Sequence, residues 1–182
     1  MDEHKNPWKT LSSRQVYDNP WIRVREDQVI NPSGSPGIYG VVSFKNTAVG
    51  IVPVDAEGYT YLVGQFRYPL DAYSWEIPEG GAPKGTDVLE SARRELKEET
   101  GFTAARWTHL CRIHTSNSVT SEEGFIFLAE ELTAGSLALE ETEDITVKRV
   151  SLQEAVRMVM NDEITDSMSI AGILKVARLK GL

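Results

Sequence analysis

β-branched and aromatic residues cluster in two runs near the start of the chain, 16–29 and 38–44. Between them, residues 31–37 are dominated by Asn, Pro, Ser and Gly. Strand-forming runs bounded by turn formers predict an N-terminal hairpin. Two further strands are predicted at 48–54 and 59–66, joined over 55–58 by a tight turn in which Gly58 supplies a positive φ, and these extend the expectation to an antiparallel sheet. The period then changes. From Asp87 to Thr100, Leu89, Ala92 and Leu96 fall on one stripe at helical spacing beside a charged remainder. Asp87 and Glu90 make a capping pair for that helix, and Gly101 stands where its C-terminal stop belongs. Strand-like runs follow at 107–114, 124–132 and 145–150, the last preceded by an acidic loop at 140–144. Ser151 and Glu154 form a capping box that opens a helix running to about Asn161. Ile170, Ile173, Leu174 and Ala177 mark a closing amphipathic helix.

A chain of 182 residues, 41% of them hydrophobic, is long enough for one compact domain with a sizeable core. Its formal net charge of -8 excludes a general binder of nucleic-acid backbone, which would present an excess of Lys and Arg. The same charge leaves room for small anionic substrates, provided that metal ions bridge the protein's carboxylates to phosphate. With no membrane-length apolar run and no basic-then-apolar leader, the chain reads as soluble, unexported and cytoplasmic, without a membrane partner. Cys111 is the only cysteine, so no internal disulfide forms. A small buried side chain is its ordinary reading and a nucleophile the alternative. His4, His109 and His114 lack HExxH-type spacing, which argues against zinc.

Glu95, Glu98 and Glu99 stand at i, i+3 and i+4 on the central helix, on one arc of its surface. Like charges so placed repel by about 0.2–0.5 kcal/mol per pair, and Arg94 is the one local side chain positioned to offset them. A divalent cation would turn this penalty into a ligand set, and oxygen-only ligands favour Mg²⁺ or Mn²⁺. On spacing alone, a solvated acidic face remains the alternative.

The residues around these glutamates extend the pattern. Gly80, Arg94, Glu95, Leu96, Glu98, Glu99, Gly101 and Phe102 resemble the Nudix box, G-x5-E-x7-R-E-U-x-E-E-x-G-U, with U a bulky apolar residue. One specified position departs: the first glutamate of the box falls on Thr86, next to Asp87, which implies altered loop support or metal affinity with activity retained. The resemblance implies an α/β fold, a Nudix α/β/α sandwich with a mixed sheet over residues 46–182. A small β-rich arm over residues 1–45 would precede it. It also implies that Glu95, Glu98 and Glu99 are metal ligands for Mg²⁺, with Mn²⁺ able to substitute. The Glu79 backbone carbonyl would be a further ligand, and Arg94 would brace the glutamates through charge-assisted bonds.

Upstream, Gln65, Phe66 and Arg67, then Trp75, Glu76, Pro78 and Gly80, resemble the ADP-ribose and nucleotide-sugar pyrophosphatase branch of that family. Thr120 to Glu122 and Glu141 to Ile145 echo it downstream. By this likeness Arg67 is a candidate grip on the substrate diphosphate, with a strand-end ion pair as the alternative. Glu76 contacts substrate or braces a loop, and Glu122 is a candidate for metal or ribose contact. The branch's general base maps to Glu141, supported by Glu143, with Glu140 a rival because adjacent glutamates permit a register error of one. The branch forms homodimers through N-terminal strands. That places Tyr17 and Trp21 as candidates for stacking on a purine or for packing, and Arg23 and Arg25 as candidates for reaching phosphate or solvent. The expected reaction is hydrolysis of a nucleoside diphosphate sugar, such as ADP-ribose or GDP-mannose, to a nucleoside monophosphate and a sugar phosphate. Hydrolysis of nucleoside triphosphates or dinucleoside polyphosphates is the enzymatic alternative. A non-catalytic nucleotide-sensing module is the alternative of another class.

Overall fold

Strand-forming residues dominate the first half of the chain. The computed structural model describes residues 5–136 and 144–182 and builds seven strands before the first α-helix. These are β1 (Lys9–Asp18), β2 (Ile22–Ile30), β3 (Pro36–Phe44), β4 (Asn46–Pro53), β5 (Tyr59–Arg67), β6 (Ala72–Glu76) and β7 (Glu79–Pro83). Helix α1 (Val88–Thr100) follows, then β8 (Phe102–His114), β9 (Glu123–Ala134), β10 (Thr146–Ser151), α2 (Leu152–Met160) and α3 (Ser167–Leu179). The described residues up to Asn46, together with Ser116–Glu122, form one compact unit; Thr47–Thr115 and the described residues from Glu123 onward form a second.

In the first unit, β1, β2 and β3 make an antiparallel sheet in that order. The run 16–29 is therefore two strands and not one. It breaks at Asn19, whose Oδ1 accepts from the amides of Trp21 (2.9 Å) and Ile22 (2.7 Å), and at Pro20, which has no amide hydrogen for a ladder. The free edge of β3 is occupied by Ser116–Glu122. The Val42 amide donates to the Val119 carbonyl and the Ser121 amide to the Val42 carbonyl, both at 2.9 Å.

The second unit carries two sheets, β7-β4-β9-β8 and β10-β5-β6. The turn after β4 forms as expected: Gly58 takes φ 82° and the Asp55 amide donates to the Tyr59 carbonyl. The antiparallel pairing of β4 with β5 does not extend beyond one bridge, Val54 with Thr60. Instead β4 pairs parallel with β9, from Ala48–Gly124 to Pro53–Ala129. The cause lies in the apolar run itself, which leaves β4 with no face for water. On one side Val49 and Ile51 join Phe127 and Ala129 of β9 and Ala92 and Leu96 of α1. On the other, Val52 and Val54 join Ile126 and Leu128 of β9 with Met158 of α2 and Ile173 and Val176 of α3. The mixed sheet is thus sandwiched between α1 and the α2–α3 pair.

Helix α1 starts at Asp87, whose side chain accepts from the Leu89 amide (2.9 Å), and stops at Gly101, at φ 75°. Glu90 does not complete a capping pair; it turns to Arg93. Ser151 caps α2 by accepting from the Glu154 amide, and Asp166 caps α3 by accepting from the Ser169 amide. Among the described residues, no helix is long and apolar enough to cross a membrane.

Candidate active site

Two short strands, β6 and β7, and the first long helix bring a set of carboxylates together. Between β6 and β7 the chain crosses through Ile77 and Pro78, so that Glu76 and Glu79 flank a two-residue passage. Pro78 gives no amide hydrogen, but its carbonyl accepts from the Ile51 amide at 2.8 Å, which ties the passage to β4. The Glu79 amide donates to Glu99 Oε2 at 2.9 Å, tying the start of β7 to α1. At Gly80 the backbone lies so close to the Glu95 carboxylate that a Cβ there would collide with it. A glycine is needed here to admit that carboxylate, and not for backbone freedom.

The turn that leads from β7 to α1 carries Thr86, where the box departs from its pattern. The Thr86 hydroxyl donates to the Pro83 carbonyl at 2.7 Å and its amide to the same oxygen at 3.1 Å. An ionised glutamate cannot make the first of these bonds. Threonine therefore trades a carboxylate for a locally closed turn.

Arg94 lies between the helix acids. One Nη donates to Glu98 and the other to Glu95, each at 2.5 Å, and the latter also reaches the Gly81 carbonyl at 3.2 Å. Glu95 and Glu99 are buried and Glu98 is partly exposed. Arg67, at the end of β5, turns its Nε to both oxygens of Glu76 (3.0 Å each) and an Nη to Glu79 Oε1 (2.8 Å). These bonds hold its guanidinium above its usual pKa despite burial. As placed, Arg67 is in an ion pair and Glu76 braces it.

Glu79 is the anomaly of the group. Its Oε2 is buried with no hydrogen-bond partner, one of two such side-chain atoms among the described residues. Burial pushes its carboxyl well above the usual carboxylate range; the charges of Asp166, Glu76 and Glu99 add to that push, and Arg67 opposes it. Two arginines thus face Glu76, Glu79, Glu95, Glu98 and Glu99, and the surplus is negative. Buried charge of one sign is costly unless paired. An all-oxygen donor set with surplus negative charge suits a hard divalent cation, so the donor chemistry fits a metal. The side chains do not stand as a finished cage. Among the described residues, no three His, Cys, Asp or Glu groups converge on one metal position, since Arg94 engages Glu95 and Glu98 while Glu99 is bonded to the Glu79 amide.

The other candidates lie elsewhere. Tyr17, Trp21, Arg23 and Glu122 belong to the first unit. Tyr17 and Trp21 are exposed, Arg23 pairs with Asp18 at 2.9 Å, Arg25 pairs with Asp27 at 3.0 Å, and the Glu122 amide contacts the Thr120 hydroxyl. Glu140, Glu141 and Glu143 lie outside the described residues. Two residues at the head of α3 escape a reading of sequence: Asp166, whose charge acts on Glu79, and Ser169, whose hydroxyl accepts from the Ile77 amide at 2.9 Å. The Asp-x-x-Ser spacing announces a helix cap. Nothing local announces a bond to a residue so far back in the chain.

The model of the NUDIX domain matches residues 44–168, and that of the nucleoside diphosphate sugar hydrolase N-terminal domain matches residues 8–42. The chain belongs to the Nudix hydrolase family and is an enzyme acting on pyrophosphate bonds. Hydrolases of this family generally depend on divalent metals. Within the family, the chain is similar to ADP-ribose pyrophosphatase of Bacillus subtilis (strain 168), with 34% identity over 91% of this chain and 90% of the relative. It is also similar to ADP-ribose pyrophosphatase of Mycobacterium tuberculosis (strain ATCC 25618 / H37Rv), with 33% identity over 97% and 85%. In fold it resembles the crystal structure of an ADP compounds hydrolase, with a TM-score of 0.86, 22% identity and 99% of each chain covered.

Proposed function

We propose that this protein hydrolyses the diphosphate of nucleoside diphosphate sugars, with ADP-ribose as substrate and AMP and ribose 5-phosphate as products, using Mg²⁺. The observation that carries the reading is the surplus of carboxylate over arginine where α1 meets β7. The likeness to two ADP-ribose pyrophosphatases along nearly the whole chain supports the substrate class.

Glu95, Glu98, Glu99 and the Glu79 carbonyl are the groups suited to hold Mg²⁺, with Mn²⁺ as a substitute. When bound, the metal supplies a water of lowered pKa and offsets negative charge on the phosphate oxygens. Arg94 keeps Glu95 and Glu98 in reach of one another by neutralising their repulsion. Arg67 is the cationic fork nearest the passage between β6 and β7, and its partners Glu76 and Glu79 hold it there for a diphosphate. Glu141 takes the proton of the attacking water, with Glu143 in support and Glu140 as the rival. The protein acts as a homodimer. In support, β1 is exposed along its whole length and presents Leu11, Val16 and Tyr17, an edge that natural proteins rarely leave uncovered.

The deciding experiment is a product assay across ADP-ribose, GDP-mannose and nucleoside triphosphates, each with Mg²⁺ and with Mn²⁺. AMP release from ADP-ribose is the expected result. A triphosphate preferred by more than about tenfold in kcat/KM would overturn the substrate class. Binding of ADP-ribose without turnover would favour the sensing module instead.

A further inference from the structure

Residues 76–79 carry two of the site's carboxylates, and α3 holds this passage from beneath. Ser169 is fully buried, and its hydroxyl accepts from the Ile77 amide at 2.9 Å. Its own amide donates to Asp166 Oδ2 at 2.7 Å, so the acceptor is itself fixed by the helix cap. A Cβ at Gly50 of β4 would meet Ile77 Cδ1 at 2.9 Å, so Gly50 leaves the room that the Ile77 side chain fills, while Gly172, one turn along α3 from Ser169, leaves room for Val52 and Ile126. Ser169 of α3 and Gly50 of β4 thus form a seat. The seat has one hydrogen bond for the Ile77 backbone and one hollow for its side chain.

What this seat fixes is the position of the residues on either side of Ile77–Pro78. Glu76 precedes the passage and pairs with Arg67; Glu79 follows it and pairs with the same guanidinium. A shift of the Ile77 amide therefore moves both partners of one arginine. A buried amide stripped of its acceptor has reason to shift, since it otherwise bears the full cost of desolvation. We infer that Ser169 is a positioning residue for substrate binding: through the Ile77 amide it holds Glu76 and Glu79, and through them aims Arg67 at the diphosphate. Ser169 touches neither substrate nor metal.

This inference rests on the proposed function for its substrate, and the test separates the two. ADP-ribose binding is measured by calorimetry in EDTA for the native protein, Ser169→Ala, Arg67→Ala, the double variant, and Val159→Ala. The last trims a buried side chain of α2 in the core cluster that also holds Ile77, and leaves the Ser169–Ile77 hydrogen bond in place. Ser169→Ala is expected to weaken binding about tenfold, to weaken it no further once Arg67 is gone, and to leave Val159→Ala unmatched at equal loss of Tm. Additive losses in the double variant, or the same weakening in Val159→Ala, would show Ser169 to be merely structural. Should the native protein bind no ADP-ribose without metal, the product assay with Mg²⁺ still decides on the functional reading, and amide exchange decides on the seat. Protection lost over residues 72–83 in Ser169→Ala but kept in Val159→Ala supports it; equal loss in both overturns it.

Discussion

At the scale of single residues, the site is an arrangement of charges that would not hold together without their opposites. Of Glu95, Glu98 and Glu99, Glu98 is the most open to solvent, and it pairs with Arg94. Glu98→Gln removes the charge of a proposed metal ligand while keeping the shape, and turnover of ADP-ribose should fall by at least roughly a hundredfold. Near-native turnover in that variant would remove Glu98 from the site. Gly80→Ala tests crowding in place of charge. The added methyl meets the Glu95 carboxylate, so overpacking should cost about 1–3 kcal/mol in calorimetric unfolding and displace Glu95, with activity falling alongside. If Gly80→Ala kept both stability and activity, Glu95 could not be seated on that backbone. The relative placement of Glu95, Glu98 and Glu99 is legible in the sequence because a helix fixes residues three and four apart. The engagement of Arg67 by both Glu76 and Glu79 is not, because it depends on how two strands diverge after Glu76.

Among the elements, boundaries set by local chemistry are the ones that sequence discloses. Asp87, Gly101, Ser151 and Gly58 each act within a few residues of themselves, as caps or turns. Pairing partners are another matter. An apolar run such as 48–54 says that a strand is buried on both faces, but not that its neighbour is β9 and not β5. The strands β6 and β7 are short and carry Glu, Ser, Gly and Pro, so no alternation marks them. The turn between β4 and β5 offers a test of pH. Burial tends to raise the Asp55 carboxyl, but the Tyr59 amide, Arg149 and the Glu57 amide more than offset it and hold it below the usual aspartate value of 3.8. A depressed carboxylate stabilises the fold fully above its unfolded pKa and loses that contribution as pH falls through its folded value. Asp55→Asn should therefore lower Tm at neutral pH, and the gap from the native protein should close as pH falls below 3.8. A gap that stays constant with pH would assign the loss to hydrogen bonding alone.

For the molecule as a whole, the exposed length of β1 is the feature that supports the proposed homodimer. Val16→Lys places a charge on that strand, and sedimentation velocity should show the proposed dimer giving way to monomer while far-ultraviolet circular dichroism stays unchanged. A variant that still sediments with the native protein would separate assembly from β1. The parallel pairing of Ala48 with Gly124 and Pro53 with Ala129 has a consequence in time. Synthesis runs from the N-terminus, so β4, the passage and α1 leave the ribosome before β9, one of the strands on which the apolar stripe of α1 rests. Until β9 arrives, the core beneath the helix bearing the acids lacks Phe127 and Ala129, and contacts so distant along the chain form slowly. The nascent chain therefore carries its cluster of acids on an unfinished sheet, and the last strand of that mixed sheet to be made is the one that completes their support.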